Sequence, residues 1–590
     1  MAPLPALVAL IPGLPLTPPP PLPDPEPPLP LVRPRTSDPK ADDQGNLIRI
    51  NGLPQQARWE RTADQLWLPL EVLEGQLGMR RSSSKGDLEL EWFGARLLVP
   101  AKEQRSLGDE VAVAVQTLLE HVGVQVETRG RELRLSLPAK PIQTIRWRDQ
   151  GISGKRVVFD LGGPALLRHD TGRLLIAAEA SALQLEQLRG LHLEPNRQGD
   201  WINLAVPESS QLLTLAEPWR LVLDLPANAD GSPPPPEATP QKDPQLGRLM
   251  RQGLELKRQV SSIGSKQMLV NSVRLDPKQV PLDLRPLNRP EGMQGLSSLS
   301  QLARQDNAVI AVNGGFFNRV NRLPLGAMRE EGRWLSGPIL NRGVAGWERG
   351  ELPSFDRLSL IETMEDSQGR RWTIDSVNSG YVQKGLARYT ADWGNRYQPV
   401  NGVEMGVLIR DGVVQKRFAL GGLLGGVPLG RGDLLVVARG GVSVPWQRGE
   451  HVSLSSRASR PVGDKANVMG GGPLLLQRGH VVLNGRNEGF SAGFTSQGAP
   501  RTVIGSDGRR IWLVTVQGLN NPGPTLMETA LLMRQEGLVD ALNLDGGSST
   551  GLVLANVQTV KGRGVAASVH NGLGLSPRRN NPVLSDPRRP

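Results

Sequence analysis

Ala308-Val-Ile-Ala-Val312 is an apolar run that stops abruptly at Asn313-Gly314-Gly315-Phe316-Phe317. It lacks the polar alternation of a half-exposed strand, so it predicts a short strand covered on both faces. The paired glycines predict a turn tight enough to bring backbone amides close to a ligand. Ala541-Leu-Asn543-Leu-Asp545-Gly546-Gly547-Ser548-Ser-Thr550 follows the same grammar, with Asn543 set between leucines and Asp545 at the strand end. Upstream of it, Thr525 and Glu528 have capping-box spacing. That spacing predicts a helix to Glu536 that buries Leu526, Met527, Ala530, Leu531 and Met533 and is stopped by Gly537. Two strand-to-Gly-Gly junctions with polar leaders predict one shared pocket.

Between the junctions lie Met469-Gly470-Gly471-Gly472-Pro473 and Arg501-Thr-Val-Ile-Gly505, the latter turning through Ser506-Asp507-Gly508 into Ile511-Trp-Leu-Val-Thr-Val516 as a hairpin. Three consecutive glycines either form an amide nest for an anion or simply turn the chain. Arg501 offers a planar guanidinium fork to a phosphate. The six histidines have no metal-ligand spacing, and His480 and His570 read as surface or turn residues. No cofactor is required by these residues. A hard divalent cation on Asp545 and backbone oxygens is compatible with them.

The 590 residues are too many for one core and predict three or four units. A formal charge of +11 with a pI near 10.1 favours polyanionic partners. The basic residues are scattered and match no nucleic-acid module, which leaves phosphorylated glycans and acidic envelope polymers ahead of nucleic acid. The absence of cysteine excludes disulfides, thiolate metal sites and cysteine nucleophiles. Met1 to Leu16 is apolar but carries Pro3, Pro5, Pro12 and Pro15 and no basic start, so it makes a poor signal peptide. No later stretch reaches the length of a transmembrane helix. Proline-rich residues 12–40 and 227–244 predict extended tethers, the second being the main domain boundary.

Leu66 to Gly78-Met79 returns 45 positions later as Val111 to Gly123-Val124, and Leu88 and Leu90 recur as Leu133 and Leu135. Each copy predicts strand, short helix ending at glycine, then strand. Residues 47–138 resemble the domain named for the N-terminus of copper amine oxidases. Arg156-Val-Val-Phe-Asp160 and Arg220-Leu-Val-Leu-Asp224 bracket a β-sandwich-like segment, 140–226, that resembles the AMIN (amidase N-terminal) domain. That resemblance implies attachment to peptidoglycan or another envelope polymer and an exported, periplasmic or envelope location. The Arg and Asp punctuation also suits simple strand ends.

The ordered set Val-Asn313-Gly-Gly-Phe-Phe, Tyr389-Thr390 with Trp393-Gly394, Gly470-Gly-Gly-Pro, Arg501-Thr-Val-Ile-Gly and Ala541-Leu-Asn-Leu-Asp-Gly-Gly is similar to the phosphodiester glycosidase family. The match covers nearly all of 260–575 and implies cleavage of a sugar-1-phosphodiester, N-acetylglucosamine-like or from an envelope glycan. Ser548 stands where the family commonly has a third glycine. A phosphate leaves without strong acid help, so one carboxylate suffices as base or nucleophile. Asp545 is the candidate, its alternative role being an Asx-type turn. Glu528 is a second candidate whose cap role already accounts for it. Asn313 and Asn543 either orient sugar hydroxyls or close turns. Gly314, Gly315, Gly470, Gly471, Gly472, Arg501, Gly546, Gly547 and Ser548 complete the candidate binding set. The expected architecture is α+β and multidomain. It comprises a tether (1–46), a small α/β repeat domain (47–138), a β-sandwich-like domain (140–226), a linker (227–249), a mixed-sheet catalytic domain with few helices (250–578) and a tail (579–590). The rival is a non-catalytic exopolysaccharide or cell-wall glycan-binding or assembly protein.

Overall fold

The computed structural model describes residues 43–578 except 85–86, 109, 151–153, 171, 208–209, 227–242, 382 and 401–403. The apolar start, the first tether, most of the second and the C-terminal tail lie outside the described residues. The chain is strand-rich and multidomain, with many separate sheets and seven α-helices among the described residues.

In the N-terminal half the repeat takes physical form. Leu66–Pro69 runs into helix Leu70–Leu77, and Glu110–Ala114 leads to Gln116–Val122. Both helices end on a left-handed glycine, Gly78 and Gly123, because a Cβ disfavours that conformation. The two leading strands pair antiparallel, Trp67 opposite Ala114, so the copies face one another. Symmetry then breaks: Asp87–Trp92 joins a three-stranded sheet, whereas Glu132–Ser136 joins a seven-stranded one.

The following segment forms an eight-stranded sheet system in which Lys155–Leu161 pairs antiparallel with Arg220–Leu225. Antiparallel pairing of two Arg-xxx-Asp strands sets each arginine opposite the other's aspartate: Arg156 faces Asp224 and Asp160 faces Arg220. Arg156 donates to Asp224 through two bonds of 2.6 Å. The punctuation that drew attention in the sequence is thus a cross-strand ion pair. One apolar core runs through both N-terminal units, from Ile48 to Leu225, with Phe93 edge-on to Trp219 at 6.1 Å.

Asp243 caps a helix, Pro244–Arg251, whose Leu246 and Leu249 enter the C-terminal core. Their three-residue spacing puts both on one helical face, which packs into that core.

Two antiparallel sheets of that domain position the site. The first orders Glu255–Ile263, Lys266–Leu275, Ile511–Gly518, Arg501–Ser506, Asp540–Asn543, Leu474–Gln477 and His480–Val481, and so contains the expected hairpin. The second orders Leu282–Leu287, Gly572–Pro577, Ile310–Asn313, Gly551–Leu554 and Val557–Lys561. Ile310–Asn313 is central and wholly buried, as its unbroken apolar run predicts. Elsewhere Ser376–Val377 pairs parallel with Gly385–Tyr389, which makes a third sheet mixed. Helix Leu526–Gln535 carries the expected capping box. Its buried face is Leu526, Thr529, Ala530, Leu532 and Met533. Met527 is exposed and Leu531 only half-buried, because the helix is rotated to bring Thr529 and Leu532 inward.

Candidate functional site

The two Gly-Gly junctions belong to different sheets and meet at their ends. Asp545 N–H donates to Gly314 O at 3.0 Å, and Asn313 Nδ2 donates to Asp545 O at 2.7 Å. The backbone of Asp545 is therefore held from both sides. One carboxylate oxygen accepts the Gly546 amide at 2.9 Å, and the other lies 3.5 Å from Arg319 Nη2.

Asn313 is 1% exposed, and both ends of its amide are engaged. Its Oδ1 accepts Thr502 Oγ1 at 2.7 Å and Gly551 N–H at 3.1 Å. It ties the sheets together and has no free amide to offer a sugar. Asn543 is also buried, donating to Gly472 O at 2.8 Å, but its Oδ1 finds no partner among the described residues.

The three central glycines do not form an anion nest. Gly470, Gly471 and Gly472 donate their amides to Ala327 O, Gly343 O and Asn543 O at 2.7, 3.0 and 2.7 Å. Glycine is needed here for close approach: a Cβ on Gly471 would sit 2.3 Å from Asn543 O. Gly315 is similar, its amide going to Asn571 Oδ1 at 2.7 Å while a Cβ would stand 2.5 Å from Gly470 O. Gly547 N–H goes to Pro500 O.

Arg501 is 1% exposed, with Nε and one terminal nitrogen donating to Pro524 O and Gln497 O, so its fork points into backbone and not outward. Glu528 stands apart from the junction. It accepts Thr525 N–H at 2.8 Å as the capping box requires, and Lys266 Nζ at 2.8 and 2.9 Å. Ser548 and Ser549, by contrast, turn toward the site, at 3.4 and 3.1 Å from Arg319.

Arg319 escaped the sequence reading, although it lies six positions after Asn313 in the same segment. It is partly buried, and desolvation lowers its pKa; the charge of Asp545 opposes that shift and Arg563 reinforces it. Its guanidinium also pairs with Glu71, from the first helix of the N-terminal repeat. Two carboxylates from distant parts of the chain therefore share one cation. Around them Arg81 bonds Arg319 O at 2.6 Å, Glu74 holds Arg81 and Arg322, and Gln55 bonds Arg563 O at 2.9 Å. The N-terminal repeat is thus packed beside the candidate site.

His570 is not at the surface: it is 2% exposed. Burial lowers its pKa to about 4, partly opposed by its bond to Met293 O and assisted by Arg289. Nε2 lies 3.0 Å from that carbonyl and so carries the proton, which leaves Nδ1 to accept Asn571 Nδ2 at 3.1 Å. Asn571 then braces the Gly314-Gly315 turn. The Tyr389-Thr390 motif builds core: Tyr389 and Tyr397 hydroxyls accept from Arg439, itself paired with Glu404 at 2.7 Å, all buried. No cluster of three His, Asp or Glu side chains converges among the described residues.

Residues 394–576 match the model of a family described as phosphodiester glycosidase. A crystal structure of a hypothetical protein from Synechocystis is 30% identical, with a TM-score of 0.54, the match covering 91% of this chain and all of that one. The catalytic domain of zebrafish N-acetylglucosamine-1-phosphodiester alpha-N-acetylglucosaminidase, auto-inhibited by its pro-peptide, is 16% identical with a TM-score of 0.30, covering 55% of this chain and 84% of that one. No curated protein matches the chain.

Proposed function

We propose, for a chain that belongs to the phosphodiester glycosidase family through its C-terminal domain, a hydrolase that cleaves the glycosidic bond of a sugar-1-phosphodiester, with Asp545 as the reacting carboxylate. The observation that carries this reading is the geometry of Asp545. Its backbone is fixed by Gly314 and Asn313, while its carboxylate accepts the Gly546 amide and faces the Arg319 guanidinium. A carboxylate fixed in this way at a strand end, beside a cation, is positioned to act as a base.

In the proposed reaction Asp545 takes a proton from water as the water oxygen bonds to the anomeric carbon. The bond from that carbon to the phosphate oxygen breaks, and the phosphate monoester departs with the electron pair. Arg319, Ser548 and Ser549 position the carboxylate. The candidate sugars are N-acetylglucosamine-like or belong to envelope glycans.

Intact protein incubated with an N-acetylglucosamine-1-phosphodiester should release free sugar. Asp545→Asn should abolish release, by about a thousandfold or more, with the melting temperature little changed. Full activity in that variant would remove Asp545 from the chemistry.

A non-catalytic glycan-binding or assembly role is favoured by one observation, the contact of Glu71 with Arg319, which places the N-terminal half against the candidate site. Glycan binding without turnover of several phosphodiesters would select it.

For the N-terminal units, attachment to peptidoglycan or another envelope polymer, in an exported or periplasmic protein, is supported by their resemblances and by the net charge of +11. Co-sedimentation of the intact chain with purified sacculi, weakening as salt rises, is the expected result. No co-sedimentation at low salt would count against it.

A further inference from the structure

Three of the chain's eight phenylalanines gather at one place beside the candidate site. Phe316 follows the first Gly-Gly turn, Phe490 follows the Gly-Gly-Gly segment, and Phe494 sits in the short helix Ala492–Ser496. Phe490 and Phe494 stack at 5.0 Å, and Phe316 leans on them at 5.4 and 5.8 Å. All three are half-buried, so the group forms a wall open to solvent and not a closed core.

Arg342 lies against this wall, its guanidinium 4.2 Å from the centre of the Phe490 ring and 5.6 Å from that of Phe316. The residue is 8% exposed. Nε donates to Glu488 O at 3.1 Å, and the terminal nitrogens have no hydrogen-bond partner among the described residues. The Glu488 carboxylate does not serve them. Its oxygens accept Arg357 Nε, Leu474 N–H and Gly343 N–H at 2.9, 3.1 and 2.8 Å. These terminal nitrogens are not buried, so an otherwise enclosed guanidinium presents its free donating ends at the edge of the aromatic wall, where an anion can meet them. Burial depresses its pKa to about 10, with Tyr381 and Glu488 opposing, so it remains charged at neutral pH. Gly472 lets Phe490 and Glu488 pack closely: its φ is +125°, and a Cβ would stand 2.9 Å from both the Phe490 ring and Glu488 Oε2.

We infer that Arg342 and the wall of Phe316, Phe490 and Phe494 form a subsite for an anionic sugar, the phosphate on Arg342 and an apolar sugar face on the rings. The identification of the ligand as a sugar phosphate rests on the proposed hydrolase. The site itself rests on the unmatched arginine and the open aromatic wall. It also relocates the phosphate ligand from Arg501, whose fork is turned into backbone. An arginine bound to a phosphate forms two charge-assisted bonds in one plane, a geometry lysine cannot copy.

The test is calorimetric titration of the intact protein with N-acetylglucosamine 1-phosphate and, separately, with the uncharged methyl glycoside. Arg342→Gln should weaken the phosphate ligand about tenfold to hundredfold and leave the methyl glycoside within twofold. Arg342→Lys should give an intermediate loss, and it decides the matter if the glutamine variant fails to fold. Phe490→Leu should weaken both ligands. Binding of the sugar phosphate by Arg342→Lys and Arg342→Gln at wild-type strength would overturn the subsite, as would absence of binding by the wild type. If binding depends on Arg342 but no phosphodiester is turned over, the subsite stands and the hydrolase reading fails.

Discussion

Asn313 and His570 show how residue type, legible in the sequence, leaves role undecided until neighbours are known. An asparagine at a strand end suits either a ligand contact or a tie, and three hydrogen bonds to separate segments make Asn313 a tie. His570 gave no useful signal because burial is not written in one residue's surroundings along the chain. Its lowered pKa carries a pH dependence. The unfolded chain takes up the histidine proton near pH 6.5, whereas the folded chain resists it down to about pH 4. Stability from the neutral ring is therefore complete above pH 6.5 and is lost as pH falls toward 4. Between pH 6.5 and 5 the wild type should lose roughly 2 kcal/mol of unfolding free energy from this group. His570→Asn should flatten that slope in denaturant titrations. An unchanged slope would mean that the ring is accessible to protons in the folded state.

Local pattern specified the elements well where the governing contacts lie within a few residues. The capping box at Thr525 and Glu528, the hairpin from Arg501 and the glycine-ended repeat helices all form from neighbours in sequence. The same local logic assigns Glu528. Glu528→Ala removes a reciprocal cap and the Lys266 ion pair, and should cost about 1 kcal/mol. Turnover measured below the melting transition should remain within twofold. A loss of turnover comparable to that of Asp545→Asn would return Glu528 to the chemistry. The face buried by this helix was less legible, since Met527 and Thr529 differ in hydrophobicity in the direction opposite to their burial. The sheet beneath decides that rotation, through packing that a helical periodicity does not contain.

At the scale of the whole molecule, the N-terminal half and the C-terminal domain share charge at their contact. Glu71, Arg319 and Asp545 join a repeat helix to both Gly-Gly junctions, with side chains of the first two 24% and 13% exposed. Because this pair is largely withdrawn from solvent, screening removes little of its interaction. A double-mutant cycle on Glu71→Ala and Arg319→Ala, read by denaturant unfolding of the intact chain, should give a coupling of about 1 to 3 kcal/mol. A coupling near zero would show that the two halves are energetically independent in solution. Among the N-terminal units, one apolar core runs across residue 139 from Ile48 to Leu225.

By itself the sequence determined the family, the strand-rich class, the repeat and the positions of both Gly-Gly junctions, because these depend on short-range pattern and on an ordered set of motifs. Tertiary structure decided which groups at those junctions remain available. Asn313, Arg501 and the amides of Gly470 to Gly472 are engaged by partners from other strands, whereas Arg342 is left with two unmatched donors. Hydrogen-bonding capacity is a property of a residue, but whether it is already used depends on contacts made across the fold.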